Sequence, residues 1–315
     1  MRVISKQEIE TLLPTINSMP LIEQGFADYS AGKCNIPPVG ELIMEKGEIH
    51  IKYGCVKGGD YYVVKIASGF YGNINMGLAN SNGMMILFSQ HTGEVAAILH
   101  DECLLTDVRT AVAGAISAKY LAPKNVTAIG IVGTGVQARM QAEFLAPVTD
   151  CKDIIVWGRS SEKLLDYKKD VTEKGYNVTA TMDMNELCST ANLIVTTTPS
   201  EDVLILADMV KPGTHITAMG SDMPDKQEID AEILKMADIV VSDSLEQSQL
   251  RGEIHQALKR NTISNDDVIE LGSVISNGLG RTNEDQITVA DLTGVAVQDL
   301  KIAEAIFHGA IKSQE

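Results

Sequence analysis

Val126-Thr127-Ala128-Ile129-Gly130-Ile131-Val132 runs straight into Gly133-Thr134-Gly135-Val136-Gln137-Ala138, and this junction decides the fold. The seven apolar and small residues predict a buried strand of a parallel sheet. From Gln137 to Leu145 the composition turns helical. A strand, a tight glycine turn and a helix are the setting in which G-x-G-x-x-A predicts a dinucleotide site. Gly133 permits the turn, and Gly135 lets a pyrophosphate approach the backbone. Ala138 is small enough for close helix–strand contact, and the helix N-terminus offers unpaired N–H groups to phosphates.

Outward from that junction the rhythm is β-α-β as far as about Ser242. Strands are expected at Val126–Val132, Ile154–Trp157, Asn177–Ala180, Leu193–Thr198, His215–Met219 and Ile239–Ser242. This is the pattern of an α/β doubly wound parallel sheet of Rossmann type. Upstream, Thr106 to Leu121 reads as an alanine-rich helix with Pro123 beyond its end. The N-terminal third predicts helices at Glu8–Leu13 and Leu21–Ala31. Its strands are expected at Glu48–Lys57, Tyr61–Ser68, Met84–Phe88 and Val95–Leu99, with turns at Gly58-Gly59 and His91–Glu94. The last segment, about Thr293 to Ile311, predicts an amphipathic helix whose apolar face must pack on the first domain or on a partner subunit.

A chain of 315 residues has room for two domains, and 44% hydrophobic with 22% charged residues is ordinary globular composition. No apolar run approaches the ~20 residues of a membrane span. The first residues lack the apolar stretch of a signal peptide. Five scattered cysteines without CxxC spacing fit a reduced, cytoplasmic setting, and the six histidines show no metal-ligand spacing. A net charge of −16 argues against a nucleic-acid partner, which needs a basic footprint.

Several side chains could carry chemistry. The second strand of a dinucleotide fold usually ends in Asp or Glu for the ribose diol; here Trp157 is followed by Gly158-Arg159-Ser160-Ser161. Arg159 and the hydroxyls would welcome a 2′-phosphate, which favours NADPH and leaves NADH possible, while either serine could cap the next helix. Arg109 lies in the first turn of a helix that Thr106 is expected to cap. It either pairs with Asp101, Glu102 or Asp107, or clamps a substrate carboxylate. Lys65 interrupts the strand Tyr61–Ala67, where it faces solvent or serves as a carboxylate or carbonyl ligand. Asp222 and Thr196-Thr197-Thr198 follow strands at the rim where open α/β sheets bind ligands, though Asp222 could also simply brace its loop.

These stretches together resemble the ornithine cyclodeaminase/mu-crystallin family. The matches are Val64-Lys65-Ile66, Gly77-Leu78 with Asn82-Gly83, Leu105 to Ala111, Gly133 to Ala138, Gly220-Ser221-Asp222 with Lys226-Gln227-Glu228, and Asp291 to Ala296. The resemblance implies a Rossmann domain (residues 121–292) inserted into an α/β substrate-binding and dimerisation domain (1–120 with 293–315). It implies a homodimer, with Lys65 and Arg109 on the substrate carboxylate and Asp222 as acid/base. Asn80, Val136, Gln137, Arg159, Thr198, Met219, Gly220 and Ser221 would lie near the cofactor. One departure is visible: Ile36 to Leu42 has no arginine where several members carry a carboxylate ligand, and Lys52 is the candidate substitute for the missing cation. Pro37 to Leu42 with His50-Ile51-Lys52 is more similar to the ketimine reductase branch. The implied activity is reduction of a cyclic imine carboxylate, Δ1-pyrroline-2-carboxylate to L-proline. The alternatives are ornithine cyclodeamination with bound NAD, an alanine dehydrogenase-like reaction, or a non-enzymatic binding role.

Overall fold

The computed structural model describes residues 1–313. It divides into two units, Met1–Arg109 with the segment from Val295, and Thr110–Gly294. The first break falls inside the helix Leu104–Leu121, whereas the rhythm of the sequence changes only after residue 120.

The first unit is built on strands β1 (Arg2–Ser5), β2 (Cys34–Asn35), β3 (Gly40–Met44), β4 (Gly47–Val56), β5 (Tyr61–Gly69), β6 (Ser81–Ser89) and β7 (Val95–His100). Their order is β1-β7-β6-β5-β4-β2, with β3 also on β4, and β1–β7 is the parallel pair. The expected turns are present. Gly58 (φ +77°) links β4 to β5, and Ser89 N–H donates to Glu94 across the β6–β7 turn. Successive strand residues face opposite sides, and β5 buries Val63 and Lys65 on one of them. In register, Lys52 of β4, Lys65 of β5 and Met85 of β6 stand side by side. Helix Ala296–Lys312 covers this face, packing on β4, β5, β6 and helix Ser18–Ser30. Phe307 meets the Tyr61 ring edge-on, with centroids 5.5 Å apart. The apolar C-terminal stripe therefore returns to the first unit.

The second unit holds β8 (Ile129–Val132), β9 (Asp153–Trp157), β10 (Asn177–Thr181), β11 (Leu193–Thr196), β12 (His215–Ala218), β13 (Ile239–Ser242), β14 (Val268–Glu270) and β15 (Thr288–Asp291). All pairs are parallel, in the order β10-β9-β8-β11-β12-β15-β13-β14. The first six make the doubly wound arrangement, which reverses direction between β8 and β11. Its core includes Val132, Ile155, Ile194, Ile216, Val240 and Val289.

β1, β2 and β3 were not among the expected strands, and in the second unit three further features depart from expectation. β8 begins at Ile129 rather than Val126, because the Asn192 side chain takes up Thr127 N–H and Asn125 C=O. β11 stops at Thr196, since Thr197 N–H turns to Val132 and Thr198 N–H to a carboxylate of Glu228. β14 and β15 were not foreseen. Four residues, Thr288-Val289-Ala290-Asp291, carry too little periodicity to announce a strand, yet β15 is buried between β12 and β13. Among the described residues no helix is long and apolar enough to cross a membrane.

Candidate active site

The first unit gathers opposite charges under the C-terminal helix. The alternation of β5 points Lys65 inward, where it is 2% exposed. Its Nζ lies 3.2 Å from Asp299 Oδ1 and 3.1 Å from Oδ2. Arg109 Nε lies 3.0 Å from the same Oδ1, off the line of a hydrogen bond, and Arg109 Nη1 donates to Gln298 at 3.0 Å. Lys65 has three donors and Arg109 five, so these contacts saturate neither. Lys52 is buried opposite Lys65.

Burial alone would push the Asp299 carboxyl up, but Lys65, Arg109 and Lys52 together hold it below the ordinary aspartate range. Lys65 is lowered from the usual amine value by burial first and Arg109 second, against the pull of Asp299. Asp101 also lies within this field, and burial lifts its carboxyl to about 6. Two buried cations, Lys65 and Arg109, thus share one ionised acid, Asp299. Such a cluster is suited to a ligand carboxylate, which Arg109 and Lys65 can meet with charge-assisted hydrogen bonds.

Two expectations for Arg109 are corrected. The helix begins at Leu104 and takes its cap from Asp101, whose Oδ2 accepts Leu105 N–H at 2.9 Å. Thr106 thus sits inside the first turn and Arg109 in the second, beyond the reach of the terminal N–H groups. The partner of Arg109 is Asp299, not Asp101, Glu102 or Asp107. Just ahead of the helix, Glu102 and Cys103 adopt φ of +52° and +71°, a left-handed turn that non-glycine residues adopt only under constraint.

In the second unit Gly133 has φ +118°, and a Cβ there would stand 2.6 Å from Thr197 Oγ1, so glycine is required. Gly135 differs. Its backbone is extended, and a Cβ would meet nothing within 4 Å. Packing does not demand glycine at this position, and the open space is the approach a pyrophosphate needs. Helix Val136–Phe144 follows with no side-chain cap, leaving its first N–H groups for phosphate. Val136 is exposed, Gln137 half-buried and Ala138 fully buried. These residues fit a dinucleotide.

After β9 the loop closes on the same turn, with Gly158 too near Thr134 for a side chain. Arg159 is exposed and makes no ion pair among the described residues, while Ser160 Oγ caps helix Ser161–Thr172 through Lys163 N–H. At the ends of β11 and β12, one carboxylate collects the rim. Glu228 Oε1 accepts Thr198 N–H (2.6 Å) and Oγ1–H (2.8 Å), and Oε2 accepts Thr196 Oγ1–H (2.7 Å) and Gly220 N–H (2.9 Å). Ser221 Oγ donates to Lys226 C=O, and Asp222 Oδ1 pairs with Lys226 Nζ at 2.7 Å. The bracing role of Asp222 is therefore real, and its side chain is still 40% exposed. Met219 is buried with Sδ taken by Gln141 Nε2. Asn80, in the first unit, closes its own loop by accepting Ile74 N–H.

Sequence reading missed Asp299, Gln298 and Glu228. A signal for Asp299 was present: Asp299, Ile302, Ala303, Ile306 and Ala310 form one helical stripe, and an acid among apolar positions is out of pattern. Glu228 stood within the family-matching stretch Lys226-Gln227-Glu228, with no role assigned to it.

The family model for the ornithine cyclodeaminase/mu-crystallin family matches residues 1–314. The chain belongs to this family. An iminosuccinate reductase of Paracoccus denitrificans is 34% identical over 97% of this chain and 95% of its own. A Δ1-pyrroline-2-carboxylate reductase of Bacillus thuringiensis is 29% identical over 99% and 98%. Among solved structures, an archaeal alanine dehydrogenase dimer with bound NAD superposes with a TM-score of 0.91 at 34% identity, covering 100% of this chain and 97% of that one.

Proposed function

We propose that the protein is an NAD(P)H-dependent reductase of imine carboxylates, and that its substrate is Δ1-pyrroline-2-carboxylate, reduced to L-proline. The observation that carries this reading is the buried, unsaturated pair Lys65 and Arg109 on Asp299. A substrate carboxylate completes the charge balance, and fixing it orients the C=N bond. Asp222 supplies or holds the proton at the imine nitrogen. Reduced nicotinamide, when bound at the Gly133–Ala138 turn, supplies the hydride to the imine carbon. The exposed Arg159, with no carboxylate in Gly158–Ser161, supports NADPH over NADH as the reductant in this reading.

A second reading, open-chain imino acids, draws on the 34% identity to the iminosuccinate reductase and the alanine dehydrogenase, against 29% for the pyrroline reductase. One assay separates them. Purified protein is given NADPH or NADH with pyrroline-2-carboxylate, with iminosuccinate, or with pyruvate and ammonia, and cofactor oxidation is followed optically. Proline formed in step with NADPH consumption supports the first reading. Turnover confined to the open-chain substrates replaces it, and conversion of ornithine without added cofactor points to a cyclodeaminase. We further propose a homodimer, supported by the exposed apolar residues Leu42 and Ile43 on β3 and Ile74, Met76 and Leu78 in the loop before β6.

A further inference from the structure

We infer that Glu228 is a positioning residue for the dinucleotide, its carboxylate tying the segment after β11 to the segment after β12 at the cofactor rim. The inference rests on the cofactor reading above. Four donors from two strand ends converge on one fully buried side chain: Thr196 and Thr198 from the β11 side, Gly220 from the β12 side. The joint is tight. A Cβ on Gly220 would stand 2.1 Å from Thr198 C=O and 2.5 Å from Glu228 Oε2, so the two segments meet backbone to backbone. The β11 side in turn abuts the glycine turn, since Thr197 N–H donates to Val132 and Thr197 Oγ1 fills the space beside Gly133.

The chemistry calls for a carboxylate. Each oxygen accepts a main-chain N–H, Thr198 on one side and Gly220 on the other. A glutamine would turn an NH2 group toward one of those N–H donors and leave a buried donor without an acceptor. The backbone of Glu228 is anchored separately, its N–H and that of Ile229 donating to Glu253. No cation pairs with Glu228 among the described residues. Glu253 and Asp291 are the charged groups facing it, Lys226 is engaged with Asp222, Arg251 donates to Asp222 C=O, and Arg260 donates to Gln227. Burial lifts the Glu228 carboxyl to about 7 against the pull of its four donors, so the tie loosens as the acid takes up a proton near neutral pH.

The test compares wild type, Glu228→Gln and Glu228→Asp, with Thr198→Val as a milder variant that leaves the acid in place. NADH is the probe because it lacks a titrating 2′-phosphate. For Glu228→Gln, amide exchange at Thr198 and Gly220 should rise at least about tenfold and NADH affinity fall about tenfold, with the KM of the imine substrate unchanged. Glu228→Asp should recover part of the affinity, and Thr198→Val should show a smaller loss of the same sign. Wild-type affinity should weaken as pH falls through about 7, and Glu228→Gln should lack that step. Unchanged exchange and affinity in Glu228→Gln, or a pH step retained without the acid, overturns the inference alone. A wild type that binds neither NADH nor NADPH overturns the cofactor reading and this inference with it. If Glu228→Gln does not fold, exchange and affinity in Thr198→Val decide, and no change there overturns the inference.

Discussion

The two units bury charge in opposite ways. In the first, Lys65, Arg109 and Lys52 surround one carboxylate, Asp299, and ionisation of each sign supports the other. In the second, Glu228, Glu253 and Asp291 are buried without a paired cation among the described residues and are held by hydrogen-bond donors; burial lifts all three carboxyls, and neighbouring acids lift Glu253 and Asp291 further. The lesson is that an excess of buried cations marks a place for an anionic ligand. A carboxyl satisfied by donors marks a joint in the scaffold. The sign of the pH response separates the two.

The largest break in this contrast is expected from Asp299→Asn. It leaves Lys65 and Arg109 buried without their anion, and denaturant unfolding should show a loss of about 3–5 kcal/mol. Next, Lys65→Met removes the proposed carboxylate ligand but also a desolvated charge. Steady-state kinetics should show kcat/KM for the imine acid down about 10²–10³-fold, with dinucleotide affinity unchanged. Loss of dinucleotide affinity instead would overturn the assignment of Lys65 to the substrate.

The pH dependence of stability sharpens the comparison further. The Glu228 carboxyl is raised in the folded state, from 4.5 to about 7, so its contribution is full below 4.5 and is lost as pH rises through about 7. That amounts to about 3 kcal/mol, which Glu228→Gln should remove from the unfolding curve. Asp299 is lowered, so its contribution is present above its unfolded value near 3.8 and is lost as pH falls below it. Asp299→Asn should flatten the acid limb and leave the neutral one. Identical curves for the two variants would erase the distinction. The smallest effect is expected at Arg159, where Arg159→Asp should shift the ratio of NADPH to NADH affinity about tenfold toward NADH, and an unchanged ratio would remove the arginine from cofactor choice.

Much of this was legible in the sequence, for identifiable reasons. The glycine turn was readable because its function is local: strand, turn and helix are contiguous. Lys65 stood out only as a charge within a strand, and alternation left its face open until the register with Lys52 and Met85 fixed it. Asp299 and Glu228 were not readable as site residues because their partners are non-local. Asp299 meets a lysine 234 positions away in the chain, and Glu228 binds Thr196 at a separation of 32. β15 escaped for the related reason that its strand character comes from the neighbours that bury it. Ser160 shows the opposite case, a local cap foreseen from local sequence.

The placement of Asp299 on the C-terminal helix bears on how the chain matures on the ribosome. Residues Thr110–Gly294 form a continuous unit and can close as soon as they emerge, whereas Met1–Arg109 must wait for the helix Ala296–Lys312. Until that helix is made, the inward face of β5 lacks its cover. The Lys65–Arg109–Asp299 cluster is therefore among the last features of the molecule to be completed, and a nascent chain stalled before Val295 lacks it.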